Sequence, residues 1–517
     1  MDSFLQFLFL NYREIFEQVL EHINLTFTSL TFSLIIGLPL GIFLTRFKKL
    51  SDLIIGIVSV IQTIPSLALF GFLLPFFGIG AKPAIIALFL YALLPIVRNT
   101  YTGIEEVDAS VKEAAKGMGM TNFQILTKVE LPLAAPVIFA GIRTATVLNV
   151  GIATIAAYIG AGGLGNYISR GIALNNTNMI LAGAIPAALL AISFDFLLGL
   201  VQRFIKHSSK IIVSILILTS VIFISSTLRS ILYTPHSFTL GCVPEFMERQ
   251  DGYKLLTKEY EIKIKTKEMD SQLIFQALQN KEVDLIAGNS TEGRINAYKL
   301  RLLEDDKKAF PPYYACPIVQ GETLRKYPTL KNIFSKIEGK ITNEKMAELN
   351  YRVEEKKEPI ERVVKSFLKE IGLKNKVTRN GKPDLVIGSK NFTEQFILAE
   401  IFALLIENYT NLNVETKKGL AGTKICFEAL KKGEINIYPE YTGTGLFVIL
   451  RESKVLEPHL LYNYVKDEFK KRFDIEWLQP LGFNNTWALI IREGDTKKLM
   501  IMTISDLKVY LDNNNEK

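Results

Sequence analysis

The chain has few of the residues that build disulfide, metal and redox chemistry. Its 517 residues include three cysteines and four histidines. Three cysteines cannot all pair and none belongs to a C-x-x-C motif, so we expect free, buried thiols instead of a disulfide framework. The histidines are scattered without the spacing of metal ligands, so the sequence predicts no metal site.

Motifs for nucleotide hydrolysis and nucleic-acid binding are also missing. The sequence G-x-x-x-x-G-K-[S/T] occurs nowhere, so this chain supplies no ATPase. No nucleophile–base pair stands out, which leaves an enzyme as the least supported class. The net charge of +8 is spread over both halves without a basic and aromatic stripe, which argues against a nucleic-acid partner. The start of the chain lacks a basic segment and does not predict a cleaved signal peptide.

What the chain does have is a first half of long apolar runs. After an opening helix predicted over 3–22 at the membrane interface, six runs approach or exceed the roughly 20 residues of a spanning helix. These runs cover 25–45, 53–76, 81–97, 134–160, 180–205 and 211–232. Backbone groups in lipid must bond within their own helix. We therefore predict an all-α polytopic membrane domain of about six transmembrane helices, in which the short third run is either a tilted or a buried helix.

Basic residues predict the orientation of these helices. They follow the first, third and fifth runs as Arg46, Lys48 and Lys49, as Arg98, Lys112, Lys116 and Lys128, and as Arg203, Lys206 and Lys210. Because basic loops stay in the cytoplasm, everything after about residue 234 is predicted to be extracytoplasmic. Asp195 lies inside the fifth run and is either a functional acid or one satisfied by a neighbouring helix. The glycine-rich segment 160–165 lacks a preceding strand and is interpreted as a turn on the outer side.

A polar stretch, EAAKGMGMTNFQILTKVELP (113–132), interrupts the apolar runs on the predicted cytoplasmic side. Its alanines and methionines favour a helix, and its glycines permit a turn or a close approach. An ordinary amphipathic loop is the alternative. The stretch resembles the EAA loop of ABC importer permeases, and the resemblance rests on Glu113, Ala114, Ala115, Gly119, Leu131 and Pro132. It implies that the loop docks on a cytoplasmic ABC ATPase. Residues 62–80 likewise resemble the permeases of betaine and choline importers.

The second half alternates short strands and helices. Phe238 to Cys242 and Val283 to Ala287 are predicted as buried strands, and Asp270 to Asn280 as a helix. The charged stretch 373–383 is predicted to be a linker, after which Asp384 to Gly388 opens a second α/β unit. Such alternation is typical of lobes built on parallel sheets.

Six motifs in this half resemble the binding proteins of betaine, choline and carnitine importers. They are ERQDGY (248–253), STEGRI (290–295), LEDDKKAFPPYYACP (303–317), IGSKNFTEQFILAEI (387–401), IYPEYTGTG (437–445) and LGFNNTWALI (481–490). The resemblance implies a two-lobed, type II periplasmic-binding-protein-like domain fused to a permease domain (1–206) through a further transmembrane helix and tether (207–236).

The order of these motifs departs from the family. The family's later portion occupies 237–372 and its opening portion occupies 384–517, which predicts a circularly permuted domain joined through the linker. Permutation is tolerated where the original termini are close and exposed. Two truncated copies from a damaged gene are the alternative.

The resemblance also implies a ligand site for a quaternary-ammonium compound. A quaternary ammonium donates no hydrogen bond and is held by aromatic faces, while a zwitterion's carboxylate needs cationic or hydroxyl donors. The implied ligand residues are Tyr441, Thr444, Trp487 and Tyr313, with Lys390 and Arg249 at the carboxylate. Asn289 replaces an aromatic residue of the family, which suits a larger betaine with a polar ring, such as ergothioneine, unless Asn289 faces solvent.

Together these features predict the permease and binding subunit of an ATP-driven importer in the bacterial inner (cytoplasmic) membrane. The expected partners are an ABC ATPase that carries the ATP, a second permease copy, and a ligand of the glycine betaine, choline, carnitine or ergothioneine kind. No cofactor is expected on this chain. The alternative is a ligand-gated channel or a sensor with a binding-protein-like ectodomain. A channel would need a re-entrant pore segment, and a sensor would need a cytoplasmic output domain.

Overall fold

The computed structural model describes residues 4–174, 176–203, 238–373, 381–420, 422–452 and 458–515. They divide into two compact units: Met1–Ser237 with Lys267–Leu273, and Phe238–Thr266 with Ile274–Lys517. The predicted sixth run (211–232), the tether after it and most of the predicted linker lie outside the described residues.

The first unit is helical, as predicted. Its α-helices are α1 (Phe4–Arg46), α2 (Lys48–Thr63), α3 (Ser66–Phe77), α4 (Ala81–Glu105), α5 (Ala109–Gly117), α6 (Asn122–Ile125), α7 (Leu131–Ala153), α8 (Gly165–Leu174) and α9 (Thr177–Arg203), with a π-helix at Leu126–Glu130 and a 3-10 helix at Ile155–Ile159. Four helical stretches of the described residues are long and apolar enough to cross a membrane: Phe4–Arg46, Ala81–Glu105, Asn122–Ala153 and Thr177–Arg203. Helix α4 packs against α1, α2, α3 and α7 and forms the centre of the unit.

The prediction of a separate interfacial helix over 3–22 is wrong. Helix α1 runs unbroken for 43 residues, from Phe4 to Arg46. No glycine or proline precedes Gly37, so nothing in the sequence ends the helix where its polarity changes. The polar residues near its middle, including His22 and Ser29, are buried against other helices and do not lie in a polar surface.

The second apolar run is broken near its middle. Helices α2 and α3 meet at an angle of 100°. Ile64 adopts an extended ψ of 129° before Pro65, a conformation that proline imposes on the residue before it. Tyr91 donates a hydrogen bond to the carbonyl of Ile64, which holds the break against α4. The described residues therefore hold four spanning candidates, or five if the broken pair is one span.

Small residues bring α1, α4 and α7 into close contact. A Cβ at Gly41 would lie 2.6 Å from Cβ of Thr100, and a Cβ at Gly141 would lie 2.5 Å from the carbonyl oxygen of Pro95. Gly37 is similarly close to α4, whereas a Cβ at Gly151 would have no neighbour within 4 Å among the described residues. Small residues at the first three positions let these helices approach one another closely.

The second unit contains two five-stranded sheets, which define two lobes. The first lobe has the order β2-β1-β3-β10-β4 and the second has the order β7-β6-β8-β5-β9. The strands are β1 (Thr239–Cys242), β2 (Lys265–Glu268), β3 (Leu285–Asn289), β4 (Leu300–Leu302), β5 (Ala315–Gln320), β6 (Leu385–Gly388), β7 (Val414–Lys417), β8 (Ile437–Tyr441), β9 (Ile475–Trp477) and β10 (Trp487–Arg492).

Helices cover both sheets. They are α10 (Pro244–Glu248), α11 (Tyr253–Tyr260), α12 (Ile274–Gln279), α13 (Arg294–Ala297), α14 (Gly321–Lys326), α15 (Leu330–Phe334), α16 (Asn343–Glu354), α17 (Ile360–Glu370), α18 (Thr393–Tyr409), α19 (Thr423–Lys431), α20 (Thr442–Thr444), α21 (Pro458–Phe473), α22 (Glu493–Leu499) and α23 (Ile504–Asn515), with a 3-10 helix at Ser335–Ile337 and a π-helix at Gly445–Ile449. Helix α18 is apolar around most of its circumference because α15, α16 and α17 pack on it from one side and β6, β7 and β8 from the other.

Each sheet draws strands from both sides of the predicted linker. Strand β10 pairs with β3 in the first lobe, and β5 pairs with β8 in the second. Residues 238–373 and 381–515 therefore build one two-lobed domain and do not fold as two separate pieces. The chain passes between the lobes in two segments, 303–314 and 478–486, which lie side by side through a bridge between Tyr314 and Asn484.

The Gly141→Ala change should destabilise the helical unit, because the new methyl group must displace the carbonyl of Pro95 or the side chain of Asn99. Gly151→Ala on the same helix adds the same methyl group into open space and serves as the matched control. The measurement is the fraction of full-length protein that stays monodisperse in detergent after heating. Equal losses in the two variants would contradict the close contact of α4 and α7.

Candidate functional site

The predicted ligand residues gather where the chain passes between the two lobes. Asn289 ends β3 directly opposite Trp487, the first residue of β10. Tyr441 ends β8 opposite Ala315, which begins β5 just after Tyr313. Ends of sheet strands at a change of direction are the usual place for a ligand in α/β proteins.

One group of these residues surrounds Arg249, and we call it the arginine–aromatic cluster (Arg249, Asp251, Tyr313, Trp487 and Phe246). The guanidinium donates to Asp251 at 3.0 and 2.8 Å and to the Tyr313 hydroxyl at 2.5 Å. Its central carbon lies 5.5 Å from the Tyr313 ring centroid and 5.9 Å from that of Trp487. Phe246 supports the Trp487 ring edge-on at 5.1 Å. Two aromatic faces are thus already arranged around a cation.

A second group surrounds Tyr441. Its ring stacks on Phe392 with centroids 6.4 Å apart, and Nζ of Lys390 lies 5.1 Å from its centroid. Lys390 forms a buried ion pair with Glu440. The hydroxyl of Tyr441 donates to Glu394 at 2.6 Å. Burial raises the pKa of the Tyr441 hydroxyl well above its ordinary value, so Tyr441 is neutral and acts as a hydrogen-bond donor.

The two groups meet at Gly443. A Cβ on this glycine would lie 2.6–2.8 Å from ring carbons of Tyr313, so the Tyr313 ring rests on the backbone of the Tyr-Thr-Gly-Thr segment. The Thr442 hydroxyl accepts a hydrogen bond from the backbone N–H of Tyr314 at 3.0 Å, and Thr444 is buried in the same turn. The structure therefore places Tyr313 against the turn that contains Tyr441 and Thr444, although Tyr313 and Tyr441 are 128 positions apart in sequence.

The two predicted carboxylate contacts already have acidic partners in this structure. Arg249 is paired with Asp251, and Lys390 with Glu440. Asn289 is half-buried and pairs with Trp487 in the sheet. The assignment of these residues to a ligand stays a prediction.

Glu394 is a site residue that motif matching did not single out. It is buried in the first turn of α18, and its carboxylate accepts hydrogen bonds from Tyr441, Asn485, Thr291 and Asn350. The only sequence signal was its place in the Lys-Asn-Phe-Thr-Glu motif directly after a strand. Burial raises its pKa to about 7, although three of the four hydrogen bonds lower it.

The EAA-like stretch forms two short helices joined at a glycine. Asp108 caps α5 through the N–H of Ser110 at 2.8 Å. Gly119 has a φ of +79°, a left-handed conformation that favours glycine. The turn therefore accounts for a glycine at this position. Thr121 and Gln124 then form a reciprocal capping box at the start of α6.

One side of this stretch exposes apolar residues. Met118 is 71% exposed, Phe123 is 73% exposed and Val111 is 40% exposed. Glu113 and Ala114 are exposed, Ala115 is buried, Leu131 is half-buried and Pro132 is exposed. This surface is available within the first unit for contact with another protein.

Glu130 anchors the stretch to the helical unit and was also missed from the sequence. It is buried, pairs with Arg46 at the end of α1, and lies 3.9 Å from Nζ of Lys112. Lys112 also donates to the carbonyl of Ile104 at the end of α4 at 2.8 Å. The stretch is therefore tied to α1 through the buried carboxylate of Glu130 and to α4 through Lys112.

Two other predictions concern polar and glycine-rich positions in the helical unit. Asp195 receives two hydrogen bonds from Arg143, at 2.9 and 2.7 Å, so it is satisfied by a neighbouring helix. The segment 160–165 is a turn as predicted, and three of its glycines have a positive φ. The backbone N–H of Gly163 donates a hydrogen bond to the carboxylate of Glu21 at 3.0 Å. The three cysteines are buried and form no disulfide within the part of the chain that the structure describes.

Comparison with known proteins agrees with both units. Residues 37–210 match the family "Binding-protein-dependent transport system inner membrane component". Residues 230–370 and 383–517 match the "Substrate binding domain of ABC-type glycine betaine transport system". The chain belongs to the ABC import systems of the glycine betaine type. It is a permease fused to a substrate-binding domain of that type, and it is a transport subunit. The channel and sensor alternatives find no support, since both matched families are import components.

The permease portion has close relatives. The choline transport system permease protein OpuBB of Bacillus subtilis is 48% identical over 203 residues, which cover 39% of this chain and 94% of that protein. The carnitine transport permease protein OpuCB of Listeria monocytogenes is 46% identical and covers 38% of this chain and 91% of its own length. The osmoprotectant import permease protein OsmW of Salmonella typhimurium is 47% identical, and the match covers 35% of this chain and 87% of that protein.

The raised pKa of Glu394 predicts a pH dependence of stability. Its pKa is about 7 in the folded protein against an ordinary 4.5, so the folded state binds this proton more tightly than the unfolded chain. Stability from this group therefore falls as pH rises from about 4.5 to about 7. The unfolding temperature should fall less between about pH 5 and about pH 8 in Glu394→Gln than in the wild type.

Tryptophan fluorescence measures this change in the full chain, because its two tryptophans, Trp477 and Trp487, both lie in the binding domain. Glu400→Gln, which removes a more exposed carboxylate from the same helix, is the control and should keep the wild-type dependence. The same loss in wild type and Glu394→Gln would show that Glu394 does not titrate in this range.

Proposed function

We propose that this chain is the permease and receptor of an ATP-driven importer that captures a quaternary-ammonium compound outside the cell. The observation that carries the proposal is the arginine–aromatic cluster beside Tyr441. There, the faces of Tyr313 and Trp487 already surround a cation at 5.5 and 5.9 Å. Each ring attracts a quaternary ammonium by roughly 0.5–2 kcal/mol, depending on how dry the site is.

The ligand's carboxylate is assigned to the two basic residues. Arg249 uses Nε and Nη2 for Asp251 and Tyr313, which leaves the Nη1 edge of its planar fork for a carboxylate. Lys390 shares its three ammonium donors between Glu440 and the ligand. Thr444, buried in the turn after Tyr441, supplies a hydroxyl.

A betaine with a polar ring fits this site better than glycine betaine. Asn289 adds a hydrogen-bonding amide where the resemblance implies an aromatic wall. Nε1 of Trp487 is buried without a hydrogen-bond partner among the described residues. An unpaired buried donor favours a ligand that offers an acceptor beyond its carboxylate, so ergothioneine is the preferred member of the class.

The transport cycle follows from the two units. The lobes close on the ligand as a hinge through segments 303–314 and 478–486. A cytoplasmic ABC ATPase binds the exposed face of residues 113–132 and drives two permease copies in the bacterial inner membrane. The tether keeps the binding domain at a high local concentration beside the permease. The reversed motif order, together with sheets shared by both segments, supports a circular permutation.

Ligand binding should change the tryptophan fluorescence of the full chain, because Trp487 stands in the cluster. We expect a saturable change with ergothioneine, and weaker responses to glycine betaine, choline and carnitine. Tyr441→Ala should lower the affinity by about tenfold or more, since a ring face worth about 1–2 kcal/mol is lost. Tyr464→Ala, on α21 in the same lobe, is the control. A folded protein that answers none of the four compounds would overturn the quaternary-ammonium proposal.

The ATPase should co-purify with the full chain through residues 113–132. Glu113→Lys reverses an exposed charge and Gly119→Asp forces a side chain into a left-handed turn, so each should abolish co-purification and transport while the permease still folds. Glu17→Lys makes the same charge change at an exposed position of α1 and should leave both unchanged. Normal transport by Glu113→Lys and Gly119→Asp would refute docking at this loop.

A further inference from the structure

Glu394 connects the ligand site to the contact between the two lobes through the two oxygens of one carboxylate. Its Oε1 accepts hydrogen bonds from the Tyr441 hydroxyl at 2.6 Å and from Nδ2 of Asn485 at 2.9 Å. Its Oε2 accepts from the Thr291 hydroxyl at 2.7 Å and from Nδ2 of Asn350 at 3.2 Å. One oxygen serves the aromatic site, and the other serves a different set of partners.

The partners of Oε2 come from both lobes. Thr291 follows β3 in the first lobe, whereas Glu394 lies on α18 and Asn350 on α16 in the second. Asn350 also donates to the carbonyl oxygen of Thr291 at 2.9 Å. The second lobe therefore holds Thr291 at its hydroxyl and at its carbonyl. We call Glu394, Asn350 and Thr291 the interlobe latch.

All members of this network are buried. Glu394 is 3% exposed, Thr291 is 1% exposed and Asn350 is 4% exposed. An ionised carboxylate only accepts hydrogen bonds, and here four donors fill its two oxygens. Removal of one donor leaves a buried acceptor partly unsatisfied, which costs more than the loss of an exposed hydrogen bond.

We propose that Glu394 is a positioning residue of the ligand site, because the carboxylate that holds Thr291 across the lobe contact also fixes the ring of Tyr441. This inference rests on the proposed function of the aromatic site. When the lobes separate at Thr291, Oε2 loses a partner and the carboxylate is free to turn. The hydroxyl of Tyr441 then loses its fixed acceptor, and the ring face loses its orientation toward the ligand's cation. Lobe closure and ring orientation thus support each other.

The test compares Thr291→Val, which keeps the shape and removes the hydroxyl, with Thr291→Ser, which keeps the hydroxyl. The first readout is amide hydrogen exchange of the full chain in detergent without ligand, at about pH 8, where Glu394 is ionised. Thr291→Val should raise exchange severalfold at residues 289–296 and at the start of α18, and Thr291→Ser should not. Wild-type exchange in Thr291→Val at both places would overturn the latch.

The second readout is the ligand dissociation rate, followed by tryptophan fluorescence with ergothioneine. Thr291→Val and Tyr441→Phe should each raise the rate about tenfold, as expected for a lost hydrogen bond to a charged group. If the two residues are coupled, the dissociation rate of the variant carrying both changes should lie far below the rate obtained by multiplying the two single increases. A full product would show that Thr291 and Tyr441 act independently and would overturn the coupling.

The two readouts separate this inference from the proposed function. If wild type binds none of the four compounds, the ligand class is wrong, while the exchange comparison still decides whether the latch exists. If ligand binds but Thr291→Val equals wild type in both readouts, the ligand class stands and the latch is wrong. Wild-type exchange in strands β6 and β8 of the Thr291 variants excludes a general loss of folding.

Discussion

Two antiparallel strand pairings hold the binding domain together. Strand β10 enters the first lobe between β3 and β4, and β5 enters the second between β8 and β9. Each inserted strand comes from the other side of the linker, so neither sheet is complete without both segments. Four of the predicted ligand residues depend on this exchange, because Trp487 lies opposite Asn289 and Tyr441 lies near Tyr313 through these pairings. The reversed order of the motifs is compatible with a site because sheet pairing, and not chain order, brings the residues together.

Buried charge dominates the chemistry around the site. Lys390 with Glu440 and Arg249 with Asp251 form ion pairs, and Glu394 is surrounded by neutral donors. Removing such charges from water is costly unless geometry and hydrogen bonds compensate. These pairings hold the side chains in fixed positions, and fixed side chains lower the ordering cost of any contact they make. Glu130 does the same for the EAA-like stretch, where a buried carboxylate fixes the exposed surface that another protein can contact.

Hydropathy and motifs predicted much of this molecule from the sequence. Spans near 81–97, 134–160 and 180–205 correspond to long helices, because length and apolar content suffice for that prediction. The end of the first helix was misplaced: α1 continues from Phe4 past His22, whose polar side chain is buried against other helices, and no local pattern reveals that burial. The only sign in the sequence of the break at Ile64 is Pro65. The sequence does not show whether the helix after this proline continues in the same direction or turns.

The site shows the same division between local and tertiary information. Tyr313, Tyr441 and Trp487 were found because they lie in recognisable motifs. Glu394 and Glu130 were not, since a glutamate in an apolar segment gives no sign of which donors will surround it. Thr291 became significant only when the fold placed it against α18 and α16.

The two ends of the binding domain lie together in the first lobe. Phe238, at the start, packs its ring 5.2 Å from that of Tyr510 near the end of α23. The second lobe, with Tyr441, Lys390 and Glu394, therefore has no covalent connection to the membrane unit except through the first lobe and its two crossing segments. In the order of the chain, the first lobe is the part that joins the membrane unit, and the second lobe is reached only through the two crossing segments.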